Sequence, residues 1–374
     1  MGKDKKNILH ICLSPSEGGL ELYAVRLTDS FEKDGYESYC LCRPGSFVER
    51  KLKENNLKSI TMTGKDYFSF KNIRHLKKLI KEHNFEVIFV HRLKDLWLTY
   101  WIKIKFPNVK VIGFTQMFVD YPKKGFFHKL VYGKIDQMIT LTNIQKEHLL
   151  GMLPIPAEKY VVIPNGVDSE KFLPQDRKDP ERLKTRKALG VEKENDILVG
   201  LIGRFDRQKG QLEFIEAIKN LKDKHPNVKY VLVGADTYGE EPLQKKILNE
   251  ILVSNLNSHV QVRGFSNEVQ KIMKALDVFI MPSYKETFGI VLVEAMACEK
   301  ICISTNSGGP VEILDNGTYG LLIEPQSSKA IEDGITEIVR NLKKYEEKAK
   351  QARNRVQQKY RLKDIFTKIK ELTY

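Results

Sequence analysis

Short runs of β-branched and aliphatic residues alternate along this chain with longer stretches whose apolar positions recur every three or four residues. In the first half the short runs NILHICLS, SYCLCR, SITMT, VIFVH, KVIGFTQ, QMITLT and YVVIPN read as strands. Helical stretches lie between them, such as GLELYAVRLTDSFEKDG and FKNIRHLKKLIKEHN. In the latter, Ile73, Leu76, Leu79 and Ile80 share one helical face while Lys and Arg occupy the other. The alternation then restarts with ILVGLIGR, KYVLVGA, HVQVRGF, VFIMPS, ICISTN and GLLIEP, and from Ala330 the pattern is helical to the end. Strands alternating with helices predict parallel sheets, and two such series predict two α/β, Rossmann-like domains.

Between the series lies PNGVDSEKFLPQDRKDPERLKTR, rich in turn formers and charge, which reads as a linker. It sets the domains at residues 1–172 and 173–355. A chain of 374 residues suits two cores better than one. In open α/β sheets ligands sit beyond the carboxyl ends of the strands, so chemistry is expected in a cleft between two facing domains.

Composition narrows the classes. Hydrophobic residues make up 41% and charged residues 29%, as in soluble globular proteins. No apolar run approaches the length of a membrane span. The start, MGKDKKNILHICLS, reads as neither signal peptide nor myristoylation site. Five cysteines without zinc-like spacing read as reduced, mostly buried thiols of a cytoplasmic protein, and no metal site is expected. Net charge is +14; residues 1–174 hold 28 Lys and Arg against 19 Asp and Glu, and the remainder 34 against 29. This excess favours an anionic partner, whether nucleotide, phospholipid surface or nucleic acid, although a solubilising surface explains many single lysines. No nucleic-acid-binding motif accompanies it.

Several loops after strands carry chemistry. In GRFDRQKGQLEFIEAI, Gly203 leaves the strand, Arg204 and Lys209 bracket the loop and Gly210 opens a helix. A helix N-terminus with a guanidinium and an ammonium suits a diphosphate. Solvated loop charges are the plain alternative. Gly18 and Gly19 in GGLELY allow close backbone approach after the first strand, or form an ordinary βα turn. In KETFGIVLVEAMA, Glu286 stands just before a helix expected to begin near Phe288, where the helix dipole alone favours a carboxylate. Glu294 has Ile290, Val291, Ala297 and Cys298 as helical neighbours. A carboxylate there needs donors, either ligand hydroxyls or a buried Arg or Lys. The amides of Phe288, Gly289 and Ile290 complete a cluster suited to a phosphorylated, hydroxylated ligand. Another glycine-rich turn, TNSGGPVEIL, follows the next strand, and capping explains its Glu312.

In this order and spacing GRFDRQKG, RGF, ETFGIVLVE and SGGPVEIL, with PNGVDSEKF and GGLEL, resemble the retaining GT-B glycosyltransferases of family 4. The resemblance spans nearly the whole chain and is stronger in the second half. It implies a GT-B fold whose C-terminal helix, residues 356–374, crosses back onto the first domain. It also implies a nucleotide-sugar donor, a UDP- or GDP-sugar. Arg204 and Lys209 would neutralise the diphosphate, Glu294 would bind ribose and Glu286 a sugar hydroxyl. Thr287, Phe288, Gly289 and Ile290 would contact sugar and phosphate, and the base would lie near Arg263, Gly264 and Phe265. Gly203 would border the phosphates, and Gly18 and Gly19 would approach them from the other domain. The implied reaction retains configuration and needs no metal, the two cations stabilising the leaving group.

Two departures stand out. Where many members carry a His after a first-domain strand, this chain has Gln116 in VIGFTQM; His91, in FVHRLKD, also matches a family position and is expected at the cleft. VGADTYGEE replaces the usual Gly-x-Gly. Aromatic and basic residues mix in WLTYWIKIKF and YPKKGFFHKLVYGK, although Trp97 and Trp101 are expected in the core. The mixture suits an anionic membrane surface and a peripheral enzyme on the inner face of the cytoplasmic membrane, with a saccharide or lipid-linked acceptor. A sugar-nucleotide epimerase and a non-catalytic nucleotide or carbohydrate binder are the alternatives.

Overall fold

Each of the thirteen strand segments forms a strand in the computed structural model, which describes residues 6–63, 69–236 and 242–374. The chain divides into two units, Met1–Pro164 with Ile365–Tyr374, and Asn165–Asp364. Contacts thus change hands at 164/165 and 364/365, where the sequence pattern sets 172/173 and the family resemblance implies 355/356. The difference arises because the NGVDSEKF segment pairs inside the second unit, where Val167 N donates to Tyr360 O and Leu362 N to Val167 O.

The first unit holds strands β1 (Ile8–Cys12), β2 (Ser38–Cys42), β3 (Ser59–Thr61), β4 (Val87–Val90), β5 (Lys110–Phe114), β6 (Gln137–Thr140) and β7 (Tyr160–Val162). They form one parallel sheet in the order β3-β2-β1-β4-β5-β6-β7. Helices α1 (Gly19–Lys33) and α2 (Phe47–Glu54) bury Ala24, Val25, Val48 and Leu52 against Cys12, Cys40 and Cys42 on one face. On the other face α3 (Phe70–Glu82), α4 (Leu96–Lys105), α5 (Phe126–Gly133) and α6 (Asn143–Met152) cover a larger core that includes Leu76, Leu96, Ile102, Val131 and Leu149. Trp97 packs half-buried against that core.

The second unit has β8 (Ile197–Ile202), β9 (Val228–Val233), β10 (Val260–Arg263), β11 (Val278–Met281), β12 (Ile301–Thr305) and β13 (Leu321–Ile323), parallel and ordered β10-β9-β8-β11-β12-β13. Its helices are α7 (Pro180–Ala188), α8 (Gln211–Lys224), α9 (Leu243–Val253), α10 (Val269–Ala275), α11 (Ile290–Ala297), α12 (Gly309–Ile313), α13 (Ser328–Arg340) and α14 (Leu342–Lys359). The last helix, α15 (Leu362–Glu371), starts in this unit and finishes in the first. There Ile365 and Ile369 are buried, Phe366 meets Tyr23 edge-on at 5.9 Å, and Lys370 Nζ donates to Ser30 Oγ at 2.7 Å.

The charged stretch expected to be a linker is helical from Pro180. Asp179 caps it, accepting from Glu181 N at 2.8 Å, and Pro180 sits where a helix needs no N–H. Arg182 and Arg186, one turn apart, point inward and converge on Asp277 at 2.8 and 2.7 Å. All five cysteines are free and buried, and burial pushes the thiols of Cys42 and Cys298 up to about 12.

Candidate functional site

In the second sheet the strand order reverses between β8 and β11, so the loops leaving these two adjacent strands diverge and open a crevice at their carboxyl ends. After β8 the chain turns through Arg207–Lys209, with the Asp206 carboxylate accepting from Gln208 N at 2.8 Å. Gly210 follows at φ +72°, and a side chain there would come within 2.2 Å of the Pro282 carbonyl oxygen. Only glycine lets the start of α8 pack so closely on the loop after β11.

That loop is tied back by Tyr284, whose N donates to Gln208 O at 2.7 Å and whose hydroxyl donates to Glu213 Oε1 at 2.5 Å. Burial, then Glu213, pushes this phenol up to about 12. The clamped loops bring Lys209 Nζ to 2.6 Å from Glu286 Oε2, both side chains being mostly buried. The sequence supports Lys209 and Glu286 separately but not their pairing across 77 positions.

Glu286 is also fixed through its backbone, for its carbonyl accepts from Gly309 N at 2.9 Å. A Cβ on Gly309 would stand 2.4 Å from the Thr287 carbonyl oxygen, so this glycine lets the loop after β12 close onto Thr287 and Phe288. Phe288 is buried, Gly289 takes φ +92°, and α11 begins at Ile290, two residues later than the pattern indicates. Glu294 lies in the middle of α11 and is half-buried, less enclosed than its apolar helical neighbours suggest.

Arg204 has an exposed side chain 3.8 Å from Asp206, and its carbonyl accepts from Gln211 Nε2 at 2.7 Å. Gly203 faces open space. Arg263, Gly264 and Phe265 leave β10, the edge strand; the Arg263 guanidinium donates to the Ala188 carbonyl, and Phe265 is 76% exposed. Of the VGADTYGEE loop, residues 237–241 lie outside the described residues. The second unit therefore carries Arg204, Lys209, Glu286 and the amides of Thr287–Ile290 on loops at the carboxyl end of one sheet, with Glu294 on the helix α11 that follows the last of them. The positive ends of α8 and α11 lie there too.

The first sheet reverses between β1 and β4. Gly18 and Gly19 open α1 after β1, and His91 follows β4. Expected at a cleft, His91 is instead fully buried: its Nε2 shares a hydrogen bond with His10 Nδ1 at 3.2 Å, and solvent reaches neither ring. Behind them Asp95 accepts from Leu13 N at 2.9 Å and Arg92 donates to Leu13 O at 2.5 Å, holding the exit of β1. The other ring nitrogen of His91, Nδ1, is enclosed without a hydrogen-bond partner. Gln116, after β5, is half-buried with its Nε2 enclosed and unpartnered. Its backbone is set by Gln145, which the sequence does not single out. That buried amide donates to the carbonyls of Thr115 and Met117 at 3.3 and 3.1 Å and accepts from Leu141 N. A Gln three residues after the capping Thr142 is the one available signal.

The buried imidazoles carry a pH prediction. Burial holds His91 down to about 3 and His10 well below its ordinary value, in His10 with help from His91. Between pH 6.5 and 3 the unfolded chain therefore binds protons that the folded unit refuses. Stability present above 6.5 is lost as pH falls. His91 alone is expected to cost about 3 kcal/mol by about pH 4.5. Both tryptophans, Trp97 and Trp101, lie in this unit, so their fluorescence reads its urea unfolding alone. A midpoint that stays flat from neutral to acid pH would sink the expectation.

A parallel α/β unit with paired acid and base at its switch point and amide-rich loops around them belongs to the class that binds phosphorylated, hydroxylated ligands. Comparison sharpens this. A family model described as Glycosyl transferases group 1 matches residues 182–355, and one described as Glycosyltransferase Family 4 matches residues 17–171. The chain belongs to the family 4 glycosyltransferases, and its fold is GT-B. A UDP-Gal:alpha-D-GlcNAc-diphosphoundecaprenol alpha-1,3-galactosyltransferase of Escherichia coli is 24% identical over 98% of this chain and 96% of its own. An N,N'-diacetylbacillosaminyl-diphospho-undecaprenol alpha-1,3-N-acetylgalactosaminyltransferase of Campylobacter jejuni is 25% identical over 86% and 87%. Among solved structures, a glycosyltransferase of Rickettsia africae superposes with a TM-score of 0.89 at 22% identity, covering 99% of this chain and 98% of that one. Anabaena HepE in complex with UDP-glucose gives 0.83 at 21%, covering 98% and 99%.

Proposed function

We propose that this glycosyltransferase moves a hexose from a UDP-sugar to a lipid-linked saccharide, with retention of configuration and without a metal ion, in the assembly of a surface polysaccharide. The observation that carries the reading is the Lys209–Glu286 pair at the switch point of the second sheet. In this reading the cation of the pair faces the diphosphate and the carboxylate faces the sugar hydroxyls. UDP as the nucleotude-bearing part of the donor is supported by HepE, solved with UDP-glucose, and by the E. coli relative named for UDP-Gal. The acceptor class is supported by two relatives named for diphosphoundecaprenol-linked saccharides and alpha linkages. An α linkage made from an α-configured UDP-sugar is net retention.

In the reaction the bond from the sugar C1 to the diphosphate oxygen breaks and a bond from C1 to the acceptor oxygen forms on the same face. The acceptor proton passes to the departing diphosphate. Lys209, Arg204 and the α8 N-terminus stabilise the charge that develops on that leaving group. Glu286 orients the sugar and Glu294 the ribose, each accepting from hydroxyls. Such chemistry belongs at the inner face of the cytoplasmic membrane, where the lipid carrier holds the acceptor; no helix among the described residues is long and apolar enough to cross a membrane.

Nucleotide release from UDP-, GDP- and ADP-sugars in EDTA, with and without a lipid-diphosphate saccharide, tests the reading. Release from one UDP-sugar, raised by the acceptor and yielding an α product, is expected. Activity only with added divalent metal, or a β product, would overturn the corresponding part.

A further inference from the structure

Among the described residues, the side chains of Lys209 and Glu286 have each other as sole ionic and hydrogen-bonding partner, Lys209 Nζ donating to Glu286 Oε2 at 2.6 Å. Both backbones are pinned. Lys209 N donates to the Asp206 carbonyl at 2.8 Å, and Gly210 beside it packs on Pro282. The Glu286 carbonyl accepts from Gly309 N at 2.9 Å, and its Cγ lies 3.4 Å from where a Cβ on Gly289 would stand. The pair can therefore part by side-chain rotation, without moving either loop. Arg204, the other cation of these loops, is exposed and lies 3.8 Å from Asp206, so Glu286 bears on Lys209 alone.

We infer that Glu286 and the diphosphate compete for Lys209, and that the hydroxyls of the transferred sugar decide the competition, so that the site holds a sugar nucleotide and releases the bare nucleoside diphosphate. The inference rests on the donor site proposed above and gives Glu286 a second role there, discrimination between donor and product. An ammonium only donates hydrogen bonds, while a carboxylate and a diphosphate only accept them. A nucleoside diphosphate brings no donor to Glu286, its ribose lying at Glu294 in that site. To take Lys209 it must leave a mostly buried carboxylate unpaired beside its own negative charge. A sugar nucleotide brings hydroxyls that donate to Glu286 while Lys209 turns to the diphosphate, and every group then has a partner. Transfer removes the sugar and those donors with it. The phosphate left behind gains about one negative charge at neutral pH, its second ionisation lying near pH 6. Glu286 then repels the product and reclaims the ammonium, and the nucleotide leaves.

The test is calorimetric titration, in EDTA and without acceptor, of UDP and separately of UDP-glucose, UDP-galactose and their N-acetylhexosamine counterparts. The proteins are the full-length wild type, Glu286→Gln, Lys209→Ala and the double variant. Glu286→Gln is expected to bind UDP about five- to tenfold more tightly than wild type, and the UDP-sugar about tenfold more weakly. A merely damaged pocket would weaken both. In the Lys209→Ala background the gain for UDP is expected to shrink to about twofold or less, because no ammonium remains to be freed. In steady-state kinetics the inhibition constant for UDP falls in Glu286→Gln while the donor KM rises. UDP bound equally or more weakly by Glu286→Gln, both ligands shifting alike, an undiminished gain in the Lys209→Ala background, or a wild type that holds UDP but none of these sugars would each overturn the inference. The first three would leave the proposed donor site standing, since UDP and UDP-sugar are still bound. No binding of any ligand to any of the four proteins would strike the donor reading itself, and the inference with it.

Discussion

Lys209→Ala is expected to lower kcat by about 10²–10³-fold while leaving the protein folded. The stability half of this follows from geometry. Lys209 and Glu286 are 2.6 Å apart, but their side chains keep 26% and 18% of their exposure, so solvent still screens the pair. Such pairs contribute about 0–1 kcal/mol. The catalytic half follows from where charge develops. As the C1–oxygen bond lengthens, negative charge gathers on the diphosphate, and an ammonium already fixed by the Tyr284 clamp meets it without reorganisation. Lys209→Arg retains the charge and is expected to recover part of the rate. Glu286→Gln, which frees Lys209 but weakens the grip on the sugar, should raise KM more than Lys209→Ala does. Steady-state kinetics beside thermal unfolding would decide the matter. Unchanged kcat in a folded Lys209→Ala protein would remove the central residue of the mechanism.

Much of this fold is legible in the sequence because parallel strands buried on both faces must be nearly continuous apolar runs. VIFV, ILVGLI and ICIST can be little else, and their alternation with amphipathic stretches yields the two sheets. The glycines at 210 and 309 are legible as turns, but the reason for them, a backbone carbonyl 2.2 or 2.4 Å from any added Cβ, appears only in three dimensions. What the sequence hides is pairing between strand ends. His10 meets His91 and Lys209 meets Glu286 because β1 adjoins β4 and β8 adjoins β11, and Arg182 meets Asp277 because α7 packs on α10, which leads into β11. Strand order is a property of the crossovers, and no local periodicity encodes it. The stretch DPERLKTRKALG shows the cost of reading charge as solvent-facing. Its Asp-Pro start signals a helix, yet its two buried arginines look like surface charge until their distant carboxylate is known.

That carboxylate gives the largest expected effect on stability: Asp277→Ala is expected to destabilise the second unit by about 3–5 kcal/mol. Asp277 precedes β11 and accepts from Arg182, Arg186 and Leu198 N, so it fastens α7 to the amino-terminal edge of the sheet. Lys300 sits nearby, its ammonium donating to the Lys274 carbonyl at 3.0 Å and held down to about 8, mainly by burial and then by Arg182. Removing the one carboxylate would leave three cations in a mostly enclosed space with only carbonyl oxygens to face, and an uncompensated buried charge is what makes breaking such a cluster costly. Asp277→Asn keeps some hydrogen bonding and should fall between. The site loops leave the opposite end of β11, four strand residues and roughly 13 Å away, so the folded fraction of the variant should retain wild-type kcat at low temperature. Urea unfolding followed by circular dichroism, with tryptophan fluorescence reporting the first unit separately, would show the loss confined to the second transition. An Asp277→Ala protein with an unshifted second transition would mean that the arginines are held by their carbonyl acceptors alone.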